Sequence, residues 1–452
     1  MGWGKLPALV LVEIYGYLEP HDRLQASSVC RHWRHTLFHP RFFEKATFIV
    51  GRKHEARNAF YLQHLAHLVS ATSIIFDSGS TQAVQRAMEI LMTICSTNDR
   101  LVSLTLRPTQ SQFVLPRQYA ADNFIHSGLI EPIKKILGRR NPSLQYLNLG
   151  CCEQLAVYCS EFLRALACPQ EMRLLAIGSV KENPGFYYVS SLEASLFDKC
   201  TNLRLLSLDY DFFSDELLRV LQLLNLKRLI LHIHAFDKNH AGTTEGAWRS
   251  FQEHNPQAEL RINLVSLTTN LNACEAIKYL HSHILRESMP LSHLKVLFCK
   301  NMNPQAIDFI SQHYNKTLKS LTWVDASFDI EEAEFFYLTS DQDPLVMMAW
   351  RCAKLEEIVL HGYLLDVHNL VGIARLRGKN LKRFEVAKFD LLPNPLLVSF
   401  LSEIKRLMVN EWHPKRDKEL HPALSGCGYS SDSARDKYIM EITQKDIQEL
   451  EN

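Results

Sequence analysis

Histidine and cysteine are the side chains in this sequence with the most obvious capacity for chemistry: there are 20 and 11 of them. The densest cluster is "SSVCRHWRHTLFHP", residues 27 to 40, which holds Cys30, His32, His35, His39, Arg31, Arg34 and Trp33. Cysteine close to histidine suggests zinc; arginine and histidine around an aromatic ring suggest nucleic acid. On one helix turning about 100° per residue, however, Ala26, Val29, Cys30, Trp33 and Leu37 share an arc, and His32 and His35 lie opposite. Cys30 therefore cannot share a metal with them. His35 and His39 are spaced as ligands, but Pro40 biases His39 out of helix, and no further Cys or carboxylate completes a tetrahedral set. A net charge of +1, from 50 basic and 49 acidic residues, supplies no general field for nucleic acid or an anionic membrane. The pairs His64 and His67, His232 and His234, and His281 and His283 fit neither H-E-x-x-H nor C-x-x-C. No glycine-rich phosphate loop or G-x-S-x-G elbow occurs. A Ser/His/Asp triad stays open, since its members need not be adjacent in sequence. No metal or cofactor is expected, and the chain reads as non-catalytic. Its odd, scattered cysteines fit a reducing compartment.

What must position any site is a repeat. The phrase apolar-x-x-apolar-x-apolar recurs as "LVSLTL" from Leu101, "LQYLNL" from Leu144, "MRLLAI" from Met172, "LRLLSL" from Leu203 and "LKRLIL" from Leu226. It continues as "LKVLFC" from Leu294, "LKSLTW" from Leu318, "LEEIVL" from Leu355 and "LKRFEV" from Leu381, with a weaker "ATSIIF" at Ala71 and a further copy near Leu260. Separations of roughly 23 to 43 residues suit a solenoid with one strand and one helix per repeat. The last two apolar positions alternate, so both point to one face of a short strand. Cys200 and Cys352 sit three residues before their phrases, where Asn98, Asn141 and Asn315 stand in others, and read as small buried groups. Cys152 and Asp211 follow their strands at the position where leucine-rich repeats, which these phrases resemble, carry Asn or Cys; Ser214 is placed to cap the helix after Asp211. Pro108, Pro116, Pro132 and Pro142 mark one overlong repeat, so an irregular horseshoe is expected.

Residues 5 to 43 carry helical periods and no strand phrase. Leu11, Ile14, Tyr15 and Leu18 share a stripe, Pro20 ends that helix, and Asp22 is placed to cap a second running to Phe38. A module of about 40 residues is near the lower limit for folding alone, so a docked partner would complete it. The stretch resembles an F-box: Leu6-Pro7 at its start, Ile14-Tyr15 where the family has Ile-Phe, Leu18 closing the first helix, then Asp22, Leu24, Val29-Cys30-Arg31 and Trp33. Leu9 departs from the Glu of many members, at a solvent-facing position. Residues 343 to 363 and 368 to 386 resemble the C-terminal region of one subfamily of F-box proteins. The resemblance implies that Leu6, Pro7, Leu11, Ile14, Tyr15, Leu18, Leu24, Val29, Cys30 and Trp33 bind a SKP-type adaptor, and through it a cullin, a RING subunit and a ubiquitin-conjugating enzyme.

The expected architecture is thus α/β: a helical F-box (1 to 48), an irregular leucine-rich-repeat solenoid (49 to 408) and a polar C-terminal tail (409 to 452) ending in a short helix, "QKDIQELEN". The expected role is the substrate-recognition subunit of an SCF-type ubiquitin ligase; the alternatives are an F-box scaffold outside a ligase or a plain repeat-based interaction module. Strand residues between the buried ones would face the protein to be ubiquitinated: Asp209, Arg228, Ile230, His232, Phe298, Lys300, Glu357, His361, Arg383 and Glu385. No secretory signal or membrane span is read, which places the expected site of action in the cytoplasm, the nucleus or both.

Overall fold

The computed structural model describes residues 3–42, 44–115, 121–181, 192–234, 240–265, 280–299, 302–326, 343–425 and 431–448. The chain divides into two compact units: residues 1–107, 114–147 and 165–168, and residues 108–113, 148–164 and 169–452.

The first unit begins with three helices, α1 (Ala8–Gly16), α2 (Pro20–Ser27) and α3 (Arg31–Leu37). Pro20 opens α2 at the position where a missing N–H is tolerated, and Glu19, not Asp22, stands at its N-cap. The single helix expected from Asp22 to Phe38 is broken. Ser27 and Ser28 turn their hydroxyls back onto the Leu24 and Gln25 carbonyls at 2.6 and 2.7 Å, the local competition that favours helix ends. Cys30 then starts α3 from an extended backbone. Tyr15 is the hub of the module. Its hydroxyl donates to the Trp33 carbonyl at 3.0 Å, and its ring lies 5.8 Å from that of Trp33 and 5.7 Å from that of Phe42. Leu11, Val12 and Leu37 are buried around it, each adding about 1.5–3 kcal/mol. Arg23 bonds the Tyr15 and Leu18 carbonyls at 2.9 and 2.8 Å and covers the Phe42 ring.

The first unit continues with β1 (Lys45–Ile49), β2 (Ala71–Phe76), most of β3 (Ser103–Pro108) and β4 (Tyr146–Asn148), in that order across the sheet. β1 lacks the leucine phrase and begins inside the segment assigned to the helical module; it pairs with β2 in parallel. The helix Thr81–Thr97, capped by Ser80, buries Val84, Ala87, Leu91 and Ile94. Asn98, fully buried, bonds the Ala66 and Val69 carbonyls at 2.5 and 2.8 Å, which explains an amide at the hand-over from helix to strand.

In the second unit, β5 (Leu174–Ala176), β6 (Leu205–Asp209), β7 (Arg228–Ile233), β8 (Glu259–Val265), β9 (Leu291–Leu297), β10 (Ser320–Val324), β11 (Glu357–His361) and β12 (Arg383–Val386) form parallel neighbours in sequence order. Helices such as Asp215–Leu221, Glu245–His254, Pro304–His313 and Val367–Arg377 connect them. Ser214 caps the first of these through the Leu217 N–H. This is the strand–helix repeat of a leucine-rich-repeat array, following the N-terminal F-box helices. Cys152, Cys200 and Cys352 are buried, and Cys200 and Cys352 are pushed up by burial to about 11 and 12.

Pair alternation sorts each strand into two faces. Leu229, Leu231, Ile262, Leu264, Leu294, Val296, Leu321, Trp323, Ile358 and Leu360 occupy one face and form the core. The other face is largely polar. One register row runs Asp209, His232, Asn263, Lys295, Thr322, Val359 and Glu385.

At the end of the array Asp390 is buried and accepts the Gly362 N–H at 2.9 Å. Burial pushes its carboxyl up to about 7, against the pull of that bond. The folded chain keeps this proton to higher pH than the unfolded chain does, so stability falls as pH rises from about 4 to about 7. Asp390→Asn is expected to exceed wild type by up to about 4 kcal/mol at pH 8 and to match it at pH 4. Urea denaturation at both pH values checks this; an equal difference at both would remove titration as the cause.

Candidate functional site

Two surfaces are candidates. The first is the helical module. Leu24 on α2 and Val29 in the α2–α3 turn are 61% and 68% exposed, and Leu9, Val10, Tyr17 and Trp3 are also exposed. Pro7 is exposed; Leu6, Ile14, Leu18, Cys30 and Trp33 are half-buried; Leu11 and Tyr15 are fully buried. The ten residues singled out from sequence therefore separate into a core pair, a half-buried layer, and an exposed set of Pro7, Leu24 and Val29. Val29, expected in the apolar arc of a single helix, faces solvent because that helix is broken before Cys30. The module's opening is fixed by His32, whose Nε2 lies 2.6 Å from the Leu6 carbonyl, and by the Trp33 indole N–H, which donates to the Trp3 carbonyl at 3.1 Å. His32 is thus used to pack the N-terminus.

The second is the polar strand face. The described residues among those expected to face a substrate lie on it or, as Phe298, just past the end of a strand, and most are buried. Asp209, Ile230 and His232 are 0% exposed, His361 1%, Phe298 4% and Arg228 7%. Glu357 and Glu385 are half-buried and Arg383 is exposed. Lys300 lies outside the described residues. In part the cover is the chain's own C-terminal helix, Asp432–Gln448, longer than the short helix expected and lying on the strand face. Arg261 donates to Asp446 Oδ1 at 2.7 Å, and Lys295 and Asn263 reach Oδ2 at 2.5 and 3.2 Å. Arg228 donates to the Asp446 carbonyl at 2.7 Å. Gln444 donates to the Pro108 and Gly150 carbonyls, both at 3.1 Å, Asp436 accepts from Ser111, and the Tyr438 ring meets that of Phe298 edge-on at 6.0 Å. Burial alone would raise the Asp446 carboxyl; Lys295 and Arg261 override it and hold it far below the usual range. The sequence reading gave only the end of this helix because its anchors are polar and its buried apolar residues form only a thin stripe, Ile439, Met440 and Ile447.

Beside the helix lies a buried polar network. Asp209 accepts the Ser179 N–H at 2.6 Å and hydroxyl at 2.7 Å; Lys181 lies 3.5 Å from Asp209 and 2.6 Å from Asp211. Ser207 Oγ and His232 Nε2 are 2.9 Å apart. Among the described residues His232 Nδ1 has no hydrogen-bond partner, so Ser207, His232 and Asp209 form no hydrogen-bonded triad, and burial pushes His232 down to about 4, against the attraction of Asp209. A Cβ on Gly178 would lie 2.7 Å from His232 Cδ2 and 3.0 Å from the Leu208 carbonyl carbon. Gly178→Ala is therefore expected to cost about 1–3 kcal/mol by overpacking, read as a lower denaturation midpoint; an unchanged midpoint would show that the site yields. Among the described residues no group of three His, Cys, Asp or Glu is arranged to hold a metal ion, and no helix is long and apolar enough to cross a membrane.

Residues 3–48 match the F-box-like family. Over 444 residues the chain is 26% identical to human (Homo sapiens) F-box only protein 33, covering 86% of this chain and 77% of that one. It is 21% identical over 437 residues to the mouse (Mus musculus) F-box/LRR-repeat protein 21, covering 92% and 90%. A solved leucine-rich repeat-containing protein, LegL7 from Legionella pneumophila, aligns with 80% of this chain and 98% of its own at 12% identity and a TM-score of 0.33. The chain carries an F-box-like domain at its N-terminus and is similar over most of its length to F-box and F-box/leucine-rich-repeat proteins.

Proposed function

We propose that this chain is the substrate-recognition subunit of an SCF-type ubiquitin ligase. The observation that carries the reading is one chain joining an F-box-like module, with Leu24 and Val29 bare on its surface, to a repeat array with a polar strand face. Pro7, Leu24 and Val29 contact the SKP-type adaptor directly, with Leu6, Ile14, Leu18, Cys30 and Trp33 at the edges of the contact. Leu11 and Tyr15 act by holding α1 against α3. The adaptor brings a cullin, a RING subunit and a ubiquitin-conjugating enzyme. The array holds the protein to be ubiquitinated, with Arg383, Glu357 and Glu385 available at its C-terminal end and Asp209, Arg228, His232, Phe298 and His361 beneath or beside the terminal helix. Lys300 stays a proposed contact by its place in the repeat.

In this reading the chain performs no bond chemistry. It raises the effective concentration of substrate lysines near charged ubiquitin, an effect worth millimolar concentrations for short tethers. The test is affinity purification with the proteasome and cullin neddylation both blocked, with Leu24→Asp/Val29→Asp as control. Proteins should accumulate on the wild-type chain, and their ubiquitination after release of the block should require an intact module. Ubiquitination that proceeds equally with the control would leave a scaffold outside a ligase as the better account.

A further inference from the structure

One row of side chains runs along the rim where the strands of the second unit begin, at the position just before each strand. The Arg204 N–H donates to the Arg173 carbonyl and the Lys227 N–H to the Arg204 carbonyl, both at 2.8 Å. Arg173, Arg204 and Lys227 therefore stand side by side at the entries of β5, β6 and β7. Neighbouring strands lie about 4.8 Å apart, so three cations share a line of about 10 Å. All three are exposed. Among the described residues none of their side chains has a hydrogen bond or an ion pair. Glu171 and Asp198, acids of the turns leading into β5 and β6, form no ion pair with the row, and the exposed Lys199 stands next to Asp198. Further along, the row avoids this pattern. Past Lys227 it runs through Ala258, Ser292, Lys319, Glu356 and Lys382. There Lys319 meets Glu259 at 2.5 Å, and Glu356 meets Lys382, its neighbour in the row, at 2.7 Å. Like charges directly opposite one another on paired strands destabilise a sheet, and opposite charges stabilise it. The fold gains nothing from three uncompensated cations in register, so the row fits a site that an anionic partner completes.

We propose that Arg173, Arg204 and Lys227 form a binding strip for an extended acidic segment of a partner protein, laid across the strand entries. Charge complementarity selects the occupant. In an extended chain, side chains two positions apart point the same way about 6.8 Å apart, so two Asp or Glu residues at i and i+2 reach the two gaps between three cations. Nucleic acid fits less well. The strip is short, no residue of the row offers a ring on which a base could stack, and the chain as a whole carries a net charge of only +1. Unlike the buried residues of the polar strand face, the strip is open to a partner with no movement of the C-terminal helix. Binding through it is driven by charge, so it weakens with salt. The strip adds an acidic preference to the substrate-receptor reading, and rests on that reading only for the identity of its occupant as a substrate.

The probe is a fluorescein-labelled peptide, Gly-Ser-Asp-Ser-Asp-Ser-Gly, titrated into the full-length chain at low salt and read by fluorescence anisotropy. Wild type should bind it at least tenfold more tightly than the same peptide with Asn for both Asp. The full-length variant Arg173→Gln/Arg204→Gln/Lys227→Gln should bind the acidic peptide at least tenfold more weakly than wild type. The variant Lys354→Gln/Lys379→Gln/Arg406→Gln removes as many exposed cations from the last repeats of the array, and should stay within twofold of wild type. Equal loss in the two variants, or equal binding of both peptides, overturns the proposal. An oligo-dT strand bound as tightly as the acidic peptide overturns the assignment to a protein segment. Thermal unfolding checks the premise. The strip variant should melt above wild type or within about 3 °C of it, because like charges have been removed; a larger fall would give the three cations a part in the fold and overturn the proposal. Adaptor binding, measured on the same samples, separates the two readings. Peptide binding without adaptor binding sinks the ligase role and leaves the strip, whereas adaptor binding without peptide binding sinks only the strip.

Discussion

A full-length chain carrying Leu24→Asp and Val29→Asp is expected to fold as wild type and to bind a SKP-type adaptor at least about 100-fold more weakly. The magnitude follows from interface energetics: truncating a central anchor costs about 2 kcal/mol or more, placing a carboxylate against an apolar partner adds desolvation, and about 2.7 kcal/mol corresponds to 100-fold. Folding is spared because both side chains are bare, at 61% and 68% exposure, and exposed substitutions usually stay within about 0.5 kcal/mol. Titration calorimetry against purified adaptor gives the affinity, and far-ultraviolet circular dichroism gives the fold. Unchanged affinity would remove Leu24 and Val29 from the interface. The contrast is with Tyr15, whose loss would weaken binding only by unfolding the module, since it is fully buried and its hydroxyl ties α1 to the Trp33 carbonyl.

Asp209→Ala carries the second large effect, on stability. From the repeat pattern Asp209 is a strand residue aimed at a substrate. In the structure it is fully buried, accepts both the N–H and the hydroxyl of Ser179, and neutralises Lys181 together with Asp211. The carboxyl is lowered despite burial by Lys181, then His234 and His232, with the Ser179 N–H helping. Removing it leaves the two Ser179 donors without this acceptor and the buried Lys181 ammonium with Asp211 alone, and taking one partner from a buried charged cluster in this way costs about 3–5 kcal/mol. Guanidinium unfolding should show that loss above pH 5, where the carboxylate is charged in both states. Lys181→Met with Asp209→Leu should recover part of it, because removing both charges abolishes the unpaired group. A loss under about 1 kcal/mol for Asp209→Ala would return the residue to the role of a ligand contact.

The strands were legible because a solenoid repeats its cause. Most phrases mark a strand that starts at their third position, as "LRLLSL" from Leu203 gives β6 at Leu205 with the leading leucine packed before it, whereas β2, β8 and β9 begin earlier, at Ala71, Glu259 and Leu291. β1 escaped because Ala46 and Phe48 give only two buried positions and no leucine phrase precedes them. The hand-over residues divide: Asn98, Cys200 and Cys352 are buried where helix passes to strand, whereas Asn141 is exposed and Asn315 half-buried. The module's membership was legible in residue types, but its surface was not. Helical angles carried across Ser27–Cys30 assumed an unbroken axis, and the two serine back-bonds end it, which puts Val29 outside. The strand face failed for another reason. Its polar alternation was visible, yet local sequence holds no sign that Asp446 would reach across to Arg261 and Lys295. A charge seen alone in a polar tail reads as solvated, and only tertiary structure pairs it.

Size-exclusion chromatography of the full-length chain mixed with SKP-type adaptor and cullin tests the central claim most directly. The account predicts one peak containing all three, in which cullin retention depends on the adaptor and is lost with Leu24→Asp/Val29→Asp. A wild-type chain that elutes apart from the adaptor, while its circular dichroism shows it folded, would contradict the account.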